Sequence, residues 1–518
     1  MSRFVAPLRT SYNDRLSSAL MILLSLVILL PVGSLILWGS RRRGFGHVWE
    51  AGLGLIGLTV LLWLITGVGL NRPVTLLSNS YTSAGLPPWT WELNGASWLL
   101  TGLWLLLGAL LLLYHWRQPA VLAGTLALLS AGLLFTAAGN ATTLLAGLLL
   151  ASVVWLAVGY HGEPEASGQM LAQRLIFWWL AIGLSSYLLL PASEPQGYML
   201  GLATLPLAGL FPFQQWRANN WPARTRLAPL LYGLPLLAAL KLFTIQPDLT
   251  VSTGADWLAP WGVVALALAL AAAWAKRDGP AGRVALLSAG GVLVWLAGTF
   301  GGAAAALAEG RGVLLAGVAL FVLPHLRARA LWQRLPHWLL AATLVGLPLT
   351  AGGFGRGLLY NGLAAQGQMM ALLLISLLTV PLAALWLSWA IGEPTTIPAL
   401  HDTSSGPLRP LLPWLFLLLA LPLPAQISGL GELTLNSWLA LILPLISGAV
   451  LVYVRQQRPG FSWNPEQLGR GRQSLLAQLN QLGLMLRQAI AEAGRLLEGE
   501  GGLLWILCLA VLFGLARL

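Results

Sequence analysis

Charge and cysteine are both scarce in this chain. Of its 518 residues only 9% are Asp, Glu, Lys or Arg, against 57% apolar, which leaves too little polar surface to cover soluble domains. The single cysteine, Cys508, sits in the last apolar run, so no disulfide, zinc site or cysteine-held iron–sulfur cluster can be built within the chain. The sequence also lacks a phosphate-cradling loop, a dinucleotide fingerprint, a metal-ligand spacing and a nucleophile beside a base. The expectation is therefore no catalytic residue, no cofactor and no metal. Long polar insertions are missing too: the longest loops, near residues 71–95 and 455–473, are too short to fold as domains.

What remains is an integral membrane protein. Apolar runs of 18 or more residues recur, each long enough to cross a hydrocarbon core of about 30 Å at about 1.5 Å per residue. They lack the period-two alternation of a membrane barrel, so the fold class is all-α. About sixteen spans are predicted, centred near residues 29, 58, 105, 128, 150, 181, 205, 236, 265, 294, 319, 345, 380, 417, 444 and 510. The first is read as a retained helix, because no small-residue cleavage site follows MSRFVAPLRTSYNDR.

The net charge of +12 does not point to nucleic acid, since the basic residues are scattered over short loops and not gathered on one soluble face. Their distribution sets orientation instead. Loops after odd-numbered spans carry 21 basic residues and the other side carries 7, which puts the first set in the cytoplasm and both termini outside. The 25 tryptophans cluster near span ends, as an aromatic belt in a lipid bilayer does. After the fifteenth span, Leu475, Leu479, Leu482, Leu486, Ile490, Ala493 and Leu497 follow a three-to-four spacing with polar residues between them. This predicts a cytoplasmic-side amphipathic lateral helix, either resting on lipid headgroups or bracing neighbouring helices or a partner subunit.

Several stretches resemble one family. WELNGASWLLTGLWLLLGALLLLY, LFPFQQWRANNWPA, GRVALLSAGGVLVWLAG and LPLTAGGFGRGLLYNGLAAQG are similar to motifs of the antiporter-like membrane subunits shared by complex I (proton-pumping NADH:quinone oxidoreductase), Mrp antiporters and membrane-bound hydrogenases. Asn94 stands where that family usually has Asp. The resemblance implies two inverted five-helix repeats, spans 4–8 and 9–13, each with a broken helix. The chain then divides into residues 1–117 (spans 1–3), 118–246 and 247–392 (the repeats), 393–470 (spans 14–15), 471–500 (lateral helix) and 501–518 (final span). Pro206 and Pro212 are expected to break the seventh span, and Pro348 with Gly352, Gly353 and Gly355 the twelfth. An ordinary proline kink is the duller alternative.

Members of the family that move protons carry a glutamate in the fifth span and lysines in the seventh, eighth and twelfth. Matching residue by residue, those positions hold Leu148, Leu207, Leu237 and Arg356. Leucine cannot relay a proton, and arginine hardly ever releases one. Arg356 is expected to clamp carbonyls freed by the broken helix or to pair with a carboxylate. Lys241 is either a displaced titratable group or, by preference, a lysine snorkelling to the outer interface. Arg311 and Glu309 are expected to form a local pair at the outer rim.

The resemblance thus implies a membrane-arm subunit of a complex I-related respiratory or photosynthetic complex in a bacterial inner membrane. Its partners would be other membrane subunits, and it would be structural, with proton translocation impaired or lost. It would be a non-catalytic part of an NADH:quinone oxidoreductase-like translocase. The alternative is an autonomous proton or cation transporter on the same scaffold, with a path rewired through Lys241, Arg356 and Arg311.

Overall fold

A computed structural model describes residues 28–37, 39–40, 47–68, 74–75, 89–115, 119–162, 168–189, 194–210, 227–245, 257–275, 280–321, 331–348, 350–391, 412–421 and 433–457. The expectations for the FPFQQWRANNWPA stretch with Pro212, for the lateral helix and for the final span fall outside these residues. The chain divides into two units, Met1–Val450 and Leu451–Leu518. Of the second, only the end of one helix, to Gln457, is described.

Helices account for nearly all of the described chain. They are α1 (Ile28–Leu37), α2 (Val48–Val68), α3 (Gly95–Tyr114), α4 (Pro119–Thr136), α5 (Ala141–Gly162), α6 (Gly168–Ser185), α7 (Glu194–Ala208), α8 (Ala228–Ile245), α9 (Leu258–Ala275), α10 (Pro280–Phe321), α11 (Leu331–Val345), α12 (Ala351–Ala365), α13 (Met369–Ile391), α14 (Leu412–Ala420) and α15 (Leu435–Gln457). Seven of them are long and apolar enough to cross a membrane, and the chain is a multi-pass membrane protein. Short polar residues start several helices. Asn94 Oδ1 accepts from Ser97 N at 2.8 Å, Asn140 Oδ1 from Thr143 N at 3.0 Å, and Thr350 Oγ1 from Gly353 N at 3.2 Å, each occupying one of the amides a helix N-terminus leaves unpaired.

The tenth and eleventh predicted spans are two helical arms of one 42-residue segment, α10, parted by a single non-helical residue, Gly302 (φ 80°, ψ −175°). A straight helix of that length would be about 63 Å long at about 1.5 Å per residue, twice what a bilayer accommodates. Instead the chain reverses at Gly302 and the two arms lie antiparallel. Arg283 Nη1 donates to Leu320 O at 3.1 Å, and a Cβ on Gly290 would lie 2.9 Å from Val313. The expected second centre near residue 319 is thus too late, because a turn made of Gly301 and Gly302 between small residues has no polar signal.

Tryptophans do more than line the ends. Trp104, Trp155 and Trp295 are essentially fully buried. Their indole N–H groups donate to Leu128 O (3.1 Å), Leu231 O (2.7 Å) and Gly201 O (2.9 Å), tying α3 to α4, α5 to α8 and α10 to α7. Trp63 and Trp98 stack at 4.5 Å and each donates to the other's carbonyl, at 2.9 and 3.0 Å, fastening α2 to α3. Each bond satisfies a polar atom that the apolar surroundings would otherwise penalise.

At one end of α3 a small cap is stitched to the bundle. The strands β1 (Val74–Thr75) and β2 (Glu92–Leu93) pair antiparallel. Glu92 N donates to Ala137 O at 2.7 Å and Gly139 N to Thr90 O at 2.8 Å, joining the cap to the α4–α5 turn.

Candidate functional site

Two helices stop inside the bundle in the same way. At the end of α7, Leu210 N donates to Leu205 O (3.1 Å) and Gly209 N to Pro206 O (3.3 Å), with Gly209 at φ 71°. At the end of α11, Leu347 N donates to Ala342 O (3.1 Å) and Gly346 N to Thr343 O (3.3 Å), with Gly346 at φ 83°. This is the Schellman pattern, which needs a left-handed residue that glycine supplies without a Cβ clash. α7 therefore ends at Gly209, and Pro206 lies inside it. In the twelfth predicted span, Pro348 lies in the break itself, whereas Gly352 and Gly353 lie in the first turn of α12. There they permit close packing: a Cβ on Gly352 would strike Thr343 O, and one on Gly353 would strike Leu347 O.

Around the second stop the charges converge. Arg356, 1% exposed, reaches back from α12 across the break. It donates through Nη1 to Val345 O (2.9 Å) and through Nη2 to Leu344 O (2.9 Å), two carbonyls that end α11. The same Nη2 meets Glu309 Oε1 at 2.5 Å, and Glu309 too is 1% exposed. A cation at a helix C-terminus also complements the helix dipole. Gly355 keeps this contact tight: a Cβ there would come within 2.8 Å of Ala305 O and strike the backbone nitrogen of Glu309. The expected Arg311–Glu309 pair does not form. Arg311 donates to Leu421 O (2.7 Å) beyond α14, and Glu309 faces the other way, to Arg356. Neighbours two apart on a helix point to different sides.

Among the described residues no charged side chain is bonded to the carbonyls of the first stop. Leu207 lies in the last turn of α7, and Leu148 and Leu237 lie in α5 and α8; all three are buried. The nearest ionisable group along α8 is Lys241. It is not snorkelling: its side chain is 2% exposed, and Nζ donates to Ser97 Oγ of α3 at 2.8 Å. The snorkelling reading fails because the start of α3 packs on the end of α8, a tertiary contact that composition does not reveal. Among the described residues no group of three or more His, Cys, Asp or Glu side chains is arranged to hold a metal ion.

Solved structures share the overall fold. A chain of the Mrp complex from Dietzia sp. DQ12-45-1b superposes with a TM-score of 0.62 at 15% identity, over 97% of this chain and 63% of that one. A chain of the membrane-bound sulfane sulfur reductase, an archaeal respiratory membrane complex, gives 0.59 at 13% identity, over 83% and 98%. A chain of respiratory complex I from Thermus thermophilus with bound aureothin gives 0.52 at 17% identity, over 82% and 98%. The chain has the antiporter-like membrane-subunit fold. No family model and no curated protein matches the sequence. The chain spans about 63% of the length of the Mrp chain it matches.

Within this antiporter-like fold, sequence reasoning singled out Glu309 but gave it the wrong partner. Glu309 pairs with Arg356, 47 positions away. An isolated acidic residue in the second arm of α10 was a usable signal, because an unpaired carboxylate at that depth is costly. No local pattern named its partner.

Proposed function

We propose that the chain is an antiporter-like membrane-arm subunit of a multi-subunit, complex I-related respiratory or photosynthetic complex in a bacterial inner membrane, structural in role and impaired in proton translocation. On this reading it has about sixteen spans, two inverted repeats, both termini outside and a cytoplasmic lateral helix. Its partners are other membrane subunits of the complex.

The observation that carries the reading is the state of Arg356. The family's proton-carrying position in the twelfth span holds a guanidinium fastened to two carbonyls and a carboxylate of the same chain. Arginine hardly ever gives up its proton, and here both of its Nη groups are engaged in closing a helix break. The buried Leu148, Leu207 and Leu237 supply no titratable group to the first repeat. Shape is kept where exchangeable charge is not.

Purification in mild detergent tests this. Stable co-migration with other membrane subunits is expected. A monodisperse single chain that dissipates a pH gradient in liposomes would overturn the reading and favour an autonomous transporter.

A further inference from the structure

Five of the described helices carry a proline inside them: Pro206 in α7, Pro235 in α8, Pro336 in α11, Pro381 in α13 and Pro444 in α15. Proline has no amide hydrogen, so each one opens the carbonyl four residues before it. Inside a bilayer no water is at hand to fill that carbonyl, and a neighbouring helix has to supply the donor. For two of the prolines the donor is visible. Pro235 opens Leu231 O, which accepts from Trp155 Nε1 of α5 at 2.7 Å. Pro444 opens Ala440 O, which accepts from Ser376 Oγ of α13 at 3.1 Å. Trp155, Leu231, Ser376 and Ala440 are all buried.

Both donors differ from their counterparts elsewhere in the chain. The indoles of Trp63, Trp98, Trp104 and Trp295 stand 2.9, 3.0, 3.1 and 2.9 Å from carbonyls, none of which lies four residues before a proline. Trp155 comes closer, at 2.7 Å, as expected where no helical amide competes for the oxygen. Thr59, Ser130, Ser185 and Ser288 turn their hydroxyls back to the carbonyl four residues earlier in their own helix. Ser376 instead donates across to α15. Beyond each proline the helix meets a second close contact. Leu240 of α8 packs on Gly310 of α10, and a Cβ on Gly448 of α15 would lie 2.6 Å from that of Ala383 of α13.

We propose that Pro235 and Pro444 are the acceptor halves of two cross-helix latches, with Trp155 and Ser376 as the positioning residues that hold α5 to α8 and α13 to α15. The proline reserves a carbonyl for the incoming donor, since no amide of its own helix can take it. The donor satisfies an acceptor that the apolar interior would otherwise penalise. Proline and donor therefore act as one unit: the proline without its donor leaves a buried acceptor open, and the donor without its proline shares the oxygen with a helical amide. The latches do not depend on the structural reading of function above.

Double-mutant cycles on the chain within its purified complex, read by thermal unfolding, test the proposal. Pro235→Ala returns an amide to Leu231 O, so Trp155→Phe should then lower the unfolding temperature by about half or less of what it does beside Pro235. Ser376→Ala should couple to Pro444→Ala in the same way, and Ser376→Thr, which keeps the hydroxyl, should lose less than Ser376→Ala. Should Trp155→Phe alone fail to assemble, the double variant with Pro235→Ala is expected to assemble. Shifts that simply add in a pair overturn the latch at that pair, as does a Trp155→Phe, Pro235→Ala double variant no better recovered than Trp155→Phe alone. Gradient dissipation in liposomes reads the proposed function separately, so failure of one is distinguishable from failure of the other.

Discussion

The stops at Gly209 and Gly346 are alike in backbone and unlike in charge. Both use a left-handed glycine and the same pair of backbone hydrogen bonds. Among the described residues the first carries buried leucines beside its glycine, Leu205, Leu207 and Leu210, while the second is crossed by Arg356 and backed by Glu309. At both stops the backbone itself satisfies two of the four carbonyls a helix end frees, and at the second Arg356 satisfies two more.

Removing one half of the buried pair should have the largest effect. Arg356→Met leaves Glu309 and two carbonyls without their donor, and a cost of about 3–5 kcal/mol is expected. Thermal unfolding of the complex reads it. The double variant Arg356→Met with Glu309→Met should recover much of the loss, and no recovery would mean the two side chains act independently.

Placing charge at the other stop should come next. Leu207→Lys puts an ammonium among leucines at a cost of about 2.5–3.5 kcal/mol. Vesicles containing the variant complex should still hold a pH gradient. Rapid collapse of that gradient would show that a single lysine re-creates a path, and would end the contrast between the two stops.

The shared backbone is tested by matched substitutions. Gly209→Ala and Gly346→Ala each force a left-handed alanine, worth about 1–2 kcal/mol, and similar losses of thermal stability are expected. Unequal losses would mean that Arg356, whose side chain lies close to Gly346, changes the backbone requirement. The smallest change is expected away from both stops, in the Trp63–Trp98 clasp. Trp98→Phe keeps an aromatic ring on Trp63 but loses one indole bond, about 0.5–1.5 kcal/mol, with no effect on the gradient.

Much of the helical layout was legible, because long apolar runs separated by short polar loops report the bilayer directly. The break positions were half legible. Proline and glycine near residues 206 and 348 marked the neighbourhoods, yet Gly209 and Gly346 make the stops, since a left-handed conformation is set by the two bonds that close over it. The charges were legible as rare residues and illegible as pairs. Arg311 and Glu309 are neighbours in sequence and turn to different partners.

From sequence alone came the class of the molecule, the scarcity of charge and the presence of a single cysteine. Those are matters of composition and residue identity, which no folding can alter. Tertiary structure decided which carboxylate neutralises Arg356 and whether Lys241 meets lipid or protein. Both depend on contacts between residues 47 and 144 positions apart, distances over which local patterns carry no information about proximity.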